Sequence, residues 1–144
     1  MKKLNFSIKI NSPRQKVWEV LWGDSTYRTW TSVFSEGSHA VTDWKEGSKV
    51  LFLNGQGDGM YSFIDRKVTP EVMSFKHIGD VIKGVEQPAT YAQKGLEGKE
   101  TYYLKDAGPA TELSVELDAP EDFAKYFEET FPKSLEKVKE LAEI

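Results

Sequence analysis

Residues 4–34, LNFSIKINSPRQKVWEVLWGDSTYRTWTSVF, change their hydrophobic period once, and that change decides the fold. Leu4, Phe6, Ile8 and Ile10 alternate with Asn5, Ser7 and Lys9, the period of a strand with one buried side. At NSPRQ the pattern turns helical. Ser12 is expected as N-cap, Pro13 at the first helical position, and Gln15 as the capping-box partner three residues after Ser12. Val17, Trp18, Val20 and Leu21 form an apolar face as far as Gly23, after which Asp24 or Ser25 can cap a second short helix carrying Tyr27 and Trp30. Three of the chain's four tryptophans fall in this stretch, so it is either the wall of a site for an apolar ligand or the filling of a core.

Outward from this stretch, residues 39–117 read as successive strands. HAVTD is short, KVLFL follows Gly47, and GMYSFIDRKV follows NGQGDG; VMSFKHI comes after Pro70 and Glu71, and KETYYLK and TELSVEL flank DAGPA. Connections this short join antiparallel neighbours, because parallel strands need crossovers of about a dozen residues or more. The glycine-rich GQGDG is followed by an alternating strand rather than a helix, which makes it a hairpin loop and not a phosphate cradle. One segment breaks the rhythm: Gly79 to Gly98 is long and rich in Gly, Pro and Gln, and is expected as a flap. At the C-terminal end, DAPEDF starts a helix with Glu121 and Asp122 at the positive end of its dipole. Phe123, Phe127, Phe131, Leu135, Val138 and Leu141 then recur every three or four residues, and Pro132 is expected to bend the helix near its middle.

Composition narrows the classes. With 144 residues, the size of one ordinary domain, the chain is expected to form a single domain over residues 1–144. The net charge of -4 offers no basic excess for neutralising phosphates, so nucleic acid is not an expected partner. The chain has no cysteine and two histidines, His39 and His77, which leaves little to hold a metal; neither metal nor cofactor is expected. No apolar run approaches the roughly 20 residues of a spanning helix, and none resembles a secretory leader, so no membrane insertion and a cytoplasmic location are expected.

Strand parity sorts the inner face of the sheet. Val50 and Phe52, Met73, Phe75 and His77, Tyr102 and Leu104, and Leu113, Val115 and Leu117 are expected to point inward. In GMYSFIDRKV both Phe63 and Ile64 call for burial; a bulge is expected to resolve the conflict with Met60 and Phe63 inside. His77 and Glu100 are polar residues on this apolar face. They either orient a ligand or exchange its protons, or else lie at a wet rim bonded to Tyr102 or Tyr61.

FSIKINSPRQKVWEVL, Tyr27 and Trp30 in YRTW, Gly47 in WKEGSKVLF, VTPEVMSF, ETYYL and TELSVEL, taken in order, resemble the SRPBCC superfamily, and most nearly the heat-shock-protein-90 ATPase activator-like (AHSA-type) family. The resemblance implies the α+β helix-grip fold of START domains, birch-pollen-allergen-like proteins and polyketide cyclases. In that fold a curved antiparallel sheet of about six to seven strands follows two short helices placed after the first strand, and grips a long C-terminal helix. It also implies a cavity between sheet and helix for lipids, polyketides or similar molecules. The residues expected to line it are Trp18, Trp30, Phe52, Met60, Phe63, Phe75, His77, Glu100, Tyr102, Phe123, Tyr126 and Phe127. The leading expectation is binding of a hydrophobic small molecule without catalysis. The alternatives are a cyclase or isomerase using His77 and Glu100, the sole catalytic candidates, and a module that contacts a chaperone; a homodimer is a further possible partnership.

Overall fold

The computed structural model describes residues 2–89 and 98–144. Strand β1 (Lys2–Ile10) leads into helices α1 (Arg14–Trp22) and α2 (Asp24–Trp30) and a 3-10 turn at Thr31–Val33. Strands β2 (His39–Val41), β3 (Lys49–Leu53), β4 (Gly59–Val68), β5 (Val72–Ile82), β6 (Val85–Glu86), β7 (Lys99–Ala107) and β8 (Ala110–Ala119) follow, and α3 (Glu121–Ala142) comes last. Every strand pair is antiparallel. The sheet order is β1-β8-β7-β5-β4-β3-β2, with the two-residue β6 added alongside β5. This is the expected α+β helix-grip arrangement: α3 lies against β1, α1 and α2, with Phe131, Leu135, Val138 and Ala142 buried and Phe131 stacked on Phe6 at 4.9 Å.

Local chemistry departs from expectation at both short helices. Ser12 does not cap α1. Its backbone is tied to the sheet end, where Thr111 Oγ1 donates to its carbonyl at 2.7 Å, and Pro13 becomes the N-cap, its carbonyl accepting from Lys16 N and Val17 N. Likewise Gly23, not Asp24 or Ser25, is the N-cap of α2, with no side-chain cap. Pro132 sits inside α3, which runs through it as one helix. Phe123, expected on the buried stripe of α3, is 56% exposed.

The segment expected as a flap is in part regular structure. Gly79 to Ile82 continue β5, and Lys83 and Gly84, both at positive φ (49° and 79°), make the two-residue turn that joins β5 to β6. Positive φ at both central residues is the type I′ geometry that matches the strand twist. The hairpin tip is docked on the β3–β4 loop, with Gly84 N donating to Gly57 O and Lys83 N to Asp58 Oδ1, each at 2.8 Å. The remainder of the expected flap, residues 90–97, lies outside the described residues. Among the described residues, no helix is long and apolar enough to cross a membrane.

Candidate functional site

The inner face follows the expected parity on β5, β7 and β8, and β4 supplies the correction. Two register shifts fall on the β4–β5 pair: Ile78 is the extra residue between Gly79 and His77, and Asp65 the extra residue between Ile64 and Arg66. The second bulge lies after Ile64, so Met60, Ser62 and Ile64 keep one parity and share the inner face. Ile64 is fully buried, and Met60 stands opposite Phe52. Phe63 therefore points outward, opposite Lys49 and Lys76, and is 39% exposed; it does not belong to the interior.

This register places a polar chain across three strands. Ser62 Oγ is 2.6 Å from His77 Nδ1, His77 Nε2 is 3.2 Å from Glu100 Oε1, and the Tyr102 hydroxyl donates to Glu100 Oε2. With Glu100 ionised, His77 Nε2–H donates to the carboxylate. Nδ1 then accepts the Ser62 proton, or donates to Ser62 Oγ when the imidazole is charged. The row of serine, histidine and acid has the membership of a nucleophilic triad. Ser62 is 0% exposed, however, and Nδ1 rather than Nε2 faces it, so the serine has no path to a substrate carbonyl. The accessible groups are Glu100, whose side chain is 21% exposed, and the edge of His77.

Aromatic rings fill the space over this chain. Trp22 lies at the centre, with ring centroids 5.0 Å from Tyr102, 5.5 Å from Phe75, 5.5 Å from Trp44 and 6.1 Å from Trp18. Trp30 packs on Tyr27 and Tyr102 and donates its indole N–H to the Leu21 carbonyl at 3.0 Å. Phe52 meets Phe75, Tyr27 and His77, and is half-buried. Of the residues expected to line a cavity, the structure thus brings Trp18, Trp30, Phe52, Phe75, His77, Glu100 and Tyr102 into one continuous assembly, with Met60 at its edge. Phe123, Tyr126 and Phe127 form a separate group at the start of α3. Phe127 packs on Phe34 and Tyr126, and the Tyr126 hydroxyl donates to the Phe34 carbonyl at 2.7 Å. A hollow of about 190 Å³ does exist on the opposite, outer face of the sheet, but Lys3, Asp65, Arg66 and Lys99 among its lining make it charged rather than apolar.

Ser62 and Trp44 were not marked in the sequence. Ser62 was legible in principle, since even parity from Met60 to Ile64 includes it. Trp44 sits in the irregular loop between β2 and β3, where no periodicity marks a residue as inward.

Electrostatics adds one testable property. Burial, and then the neighbouring Glu100 charge, push the phenols of Tyr102 and Tyr27 well above the ordinary tyrosine value. The folded chain therefore keeps protons that an unfolded chain would release above about pH 10, so the stabilisation is complete below that pH and is lost as pH rises further. In an alkaline titration followed by tyrosinate absorbance, Tyr27 and Tyr102 are expected to ionise only in a steep step coincident with loss of circular dichroism. Gradual ionisation of all six tyrosines in a still-folded chain would contradict it.

No family model matches the chain, and no curated protein matches it. Solved structures do. The solution structure of the Aha1 dimer from Colwellia psychrerythraea aligns with a TM-score of 0.75 at 15% identity, covering 100% of this chain and 98% of that one. DynU16, a protein of the dynemicin biosynthetic locus, aligns with a TM-score of 0.73 at 13% identity, and this chain, covered over 97%, spans 46% of its length. CalU16 from Micromonospora echinospora gives 0.69 at 15% identity, over 97% of this chain and 75% of that one. At these identities the likeness is one of fold: all three share the helix-grip architecture described above.

Proposed function

We propose that the chain binds a small, mainly apolar molecule on the helix-facing side of its sheet, and that Glu100 and His77 hold the ligand's polar end. The observation that carries this reading is a largely buried carboxylate and imidazole, hydrogen-bonded to each other, on a face that apart from Ser62 is made of aromatic and aliphatic side chains. An apolar site with a few convergent polar groups is the usual composition of a small-molecule pocket. A carboxylate kept in such a place is costly unless its partners or a ligand satisfy it.

The test is a fluorescence and native mass spectrometry titration with a panel of fatty acids, fatty amines and polyphenols. Loss of a hydrogen bond to a charged group is worth about 1.5–3 kcal/mol, so Glu100→Gln is expected to weaken the best member of the panel by roughly ten- to a hundredfold. Absence of any bound species, or equal affinity for Glu100→Gln, would overturn the assignment. A second reading, proton transfer by the same pair, is favoured by the unbroken hydrogen-bonded chain from Ser62 to Tyr102. It predicts the opposite split: Glu100→Gln retains binding, while conversion of a bound compound to an isomer, seen as a change in chromatographic retention without a change in mass, disappears.

A further inference from the structure

We infer that Trp44 is a plug occupying the ligand's own place, and that the ligand is a flat, fused-ring molecule with a hydrogen-bond acceptor for the indole N–H of Trp22. This rests on the ligand-binding reading above and gives that ligand its shape and one polar contact.

Trp22 supplies the first observation. It is 7% exposed, and its Nε1 is a fully buried donor with no acceptor among the described residues. Elsewhere the interior satisfies such groups: Trp30 Nε1 reaches Leu21 O, Thr111 Oγ1 reaches Ser12 O, and Ser134 Oγ reaches Phe131 O. A buried donor left unpaired in a native interior calls for an explanation, and an absent ligand atom provides one. Among the described residues, the aromatic rings packed on Trp22 are those of Trp18, Trp44, Phe75 and Tyr102. Replacing one of these rings would bring a ligand acceptor to the indole.

Trp44 is the neighbour that can be replaced. Trp18 is fixed on a helix, and Phe75 and Tyr102 on central strands, whereas Trp44 stands in the loop between β2 and β3 and is half-buried. Its φ of 61° lies in the left-handed region, which a bulky residue adopts only under constraint. That constraint is a set of part-buried and exposed hydrogen bonds. Thr42 Oγ1 accepts from Trp44 N at 3.2 Å, Lys67 Nζ donates to the Trp44 carbonyl at 2.7 Å, and Lys67 N donates to Glu46 Oε1 at 2.8 Å. Water can take over such contacts when the loop moves. Withdrawal of the indole would relieve the strained backbone and leave a slot walled by Trp22, Tyr27 and Phe75, whose rings now lie 5.5 to 6.4 Å from that of Trp44. The slot has the outline of a bicyclic ring, and two of its walls, Trp22 and Phe75, also pack on Tyr102 of the polar chain.

The experiment uses the full chain and two isosteric probes, naphthalene and quinoline, which differ by one ring acceptor. With four tryptophans, the indole N–H signals of ¹⁵N-labelled protein can be followed one by one. Quinoline is expected to shift the Trp22 and Trp44 signals together, with Trp22 moving downfield as it gains an acceptor, and to bind about tenfold more tightly than naphthalene, the worth of one hydrogen bond. Trp22→Phe should erase the preference, and Trp44→Ala should tighten both probes by tenfold or more. If the probes bind wild type without moving Trp22 and Trp44, or show no preference for quinoline, the plug is wrong. If neither probe binds wild type or Trp44→Ala, the plug also falls, while the fatty-acid and polyphenol panel with Glu100→Gln decides separately whether the ligand-binding reading stands.

Discussion

Trp30→Ala is expected to lower the melting temperature by about 12 °C. Trp30 is 1% exposed, packs edge-on to Tyr27 and Tyr102, and donates its indole N–H to the Leu21 carbonyl. Truncating a buried aromatic costs about 3–5 kcal/mol, because the lost transfer energy is joined by the cavity left behind. At about 3 °C per kcal/mol for a chain of this size, a loss near 4 kcal/mol gives that shift in a calorimetric or circular dichroism melt. A shift below about 5 °C would show that the ring assembly collapses around the gap. Trp44→Ala is the informative companion. A half-buried, strained ring on a loop should cost no more than about 1–2 kcal/mol, and a loss as large as that of Trp30→Ala would mark Trp44 as ordinary core.

Gly59→Ala is expected to destabilise by about 3 kcal/mol, through backbone rather than side-chain packing. A Cβ built at Gly59 would lie 1.7 Å from the Phe52 carbonyl oxygen and 2.8 Å from its carbon. Neither atom belongs to a flexible group, so strands β3 and β4 must part or their bond angles open, and strain of that kind rises steeply with displacement. Gly55→Ala, in the loop that leads into β4 and with nothing nearer than 3.5 Å, is the control and should cost well under half as much. Chemical denaturation of the pair measures the difference; equal midpoints would mean the β3–β4 hairpin yields freely. Since Phe52 and Met60 face each other beside this glycine, Gly59→Ala should also loosen the edge of the candidate site.

The order of elements was legible because each has one buried side. Alternation identified β1, the stripe of Phe131, Leu135 and Val138 identified α3, and parity placed Met73, Phe75, His77, Tyr102, Leu104, Leu113, Val115 and Leu117 on one face. Tyr102 as a partner for Glu100 was among the foreseen outcomes. What escaped was set by single residues out of step. A bulge at Asp65, rather than one that turns Phe63 inward, decides the β4 register, and with it the meeting of Ser62 and His77. A bulge leaves no periodic mark on a strand whose neighbouring residues, Phe63 and Ile64, are both apolar. The Lys83–Gly84 turn was hidden in a long polar segment, and Ser12 lost its capping role to a contact with Thr111, distant in sequence. Trp44 required tertiary structure outright, since nothing local distinguishes a loop tryptophan that turns inward from one that does not.

The pairing of β1 with β8 carries a consequence for how the chain reaches this structure. Lys2 stands opposite Ala119 and Ile10 opposite Thr111, so β1 leaves the ribosome long before the strand it pairs with exists. The central hairpins β3–β4 and β7–β8 close locally, while β1 must wait for a loop that contains nearly the whole sheet, and such non-local closure slows folding. During that wait β1 is an open strand with an apolar side, the kind of segment that recruits other chains. The lysines at positions 2, 3 and 9 then act as guards, keeping the unpaired strand from docking on a second copy until its own partner has been made.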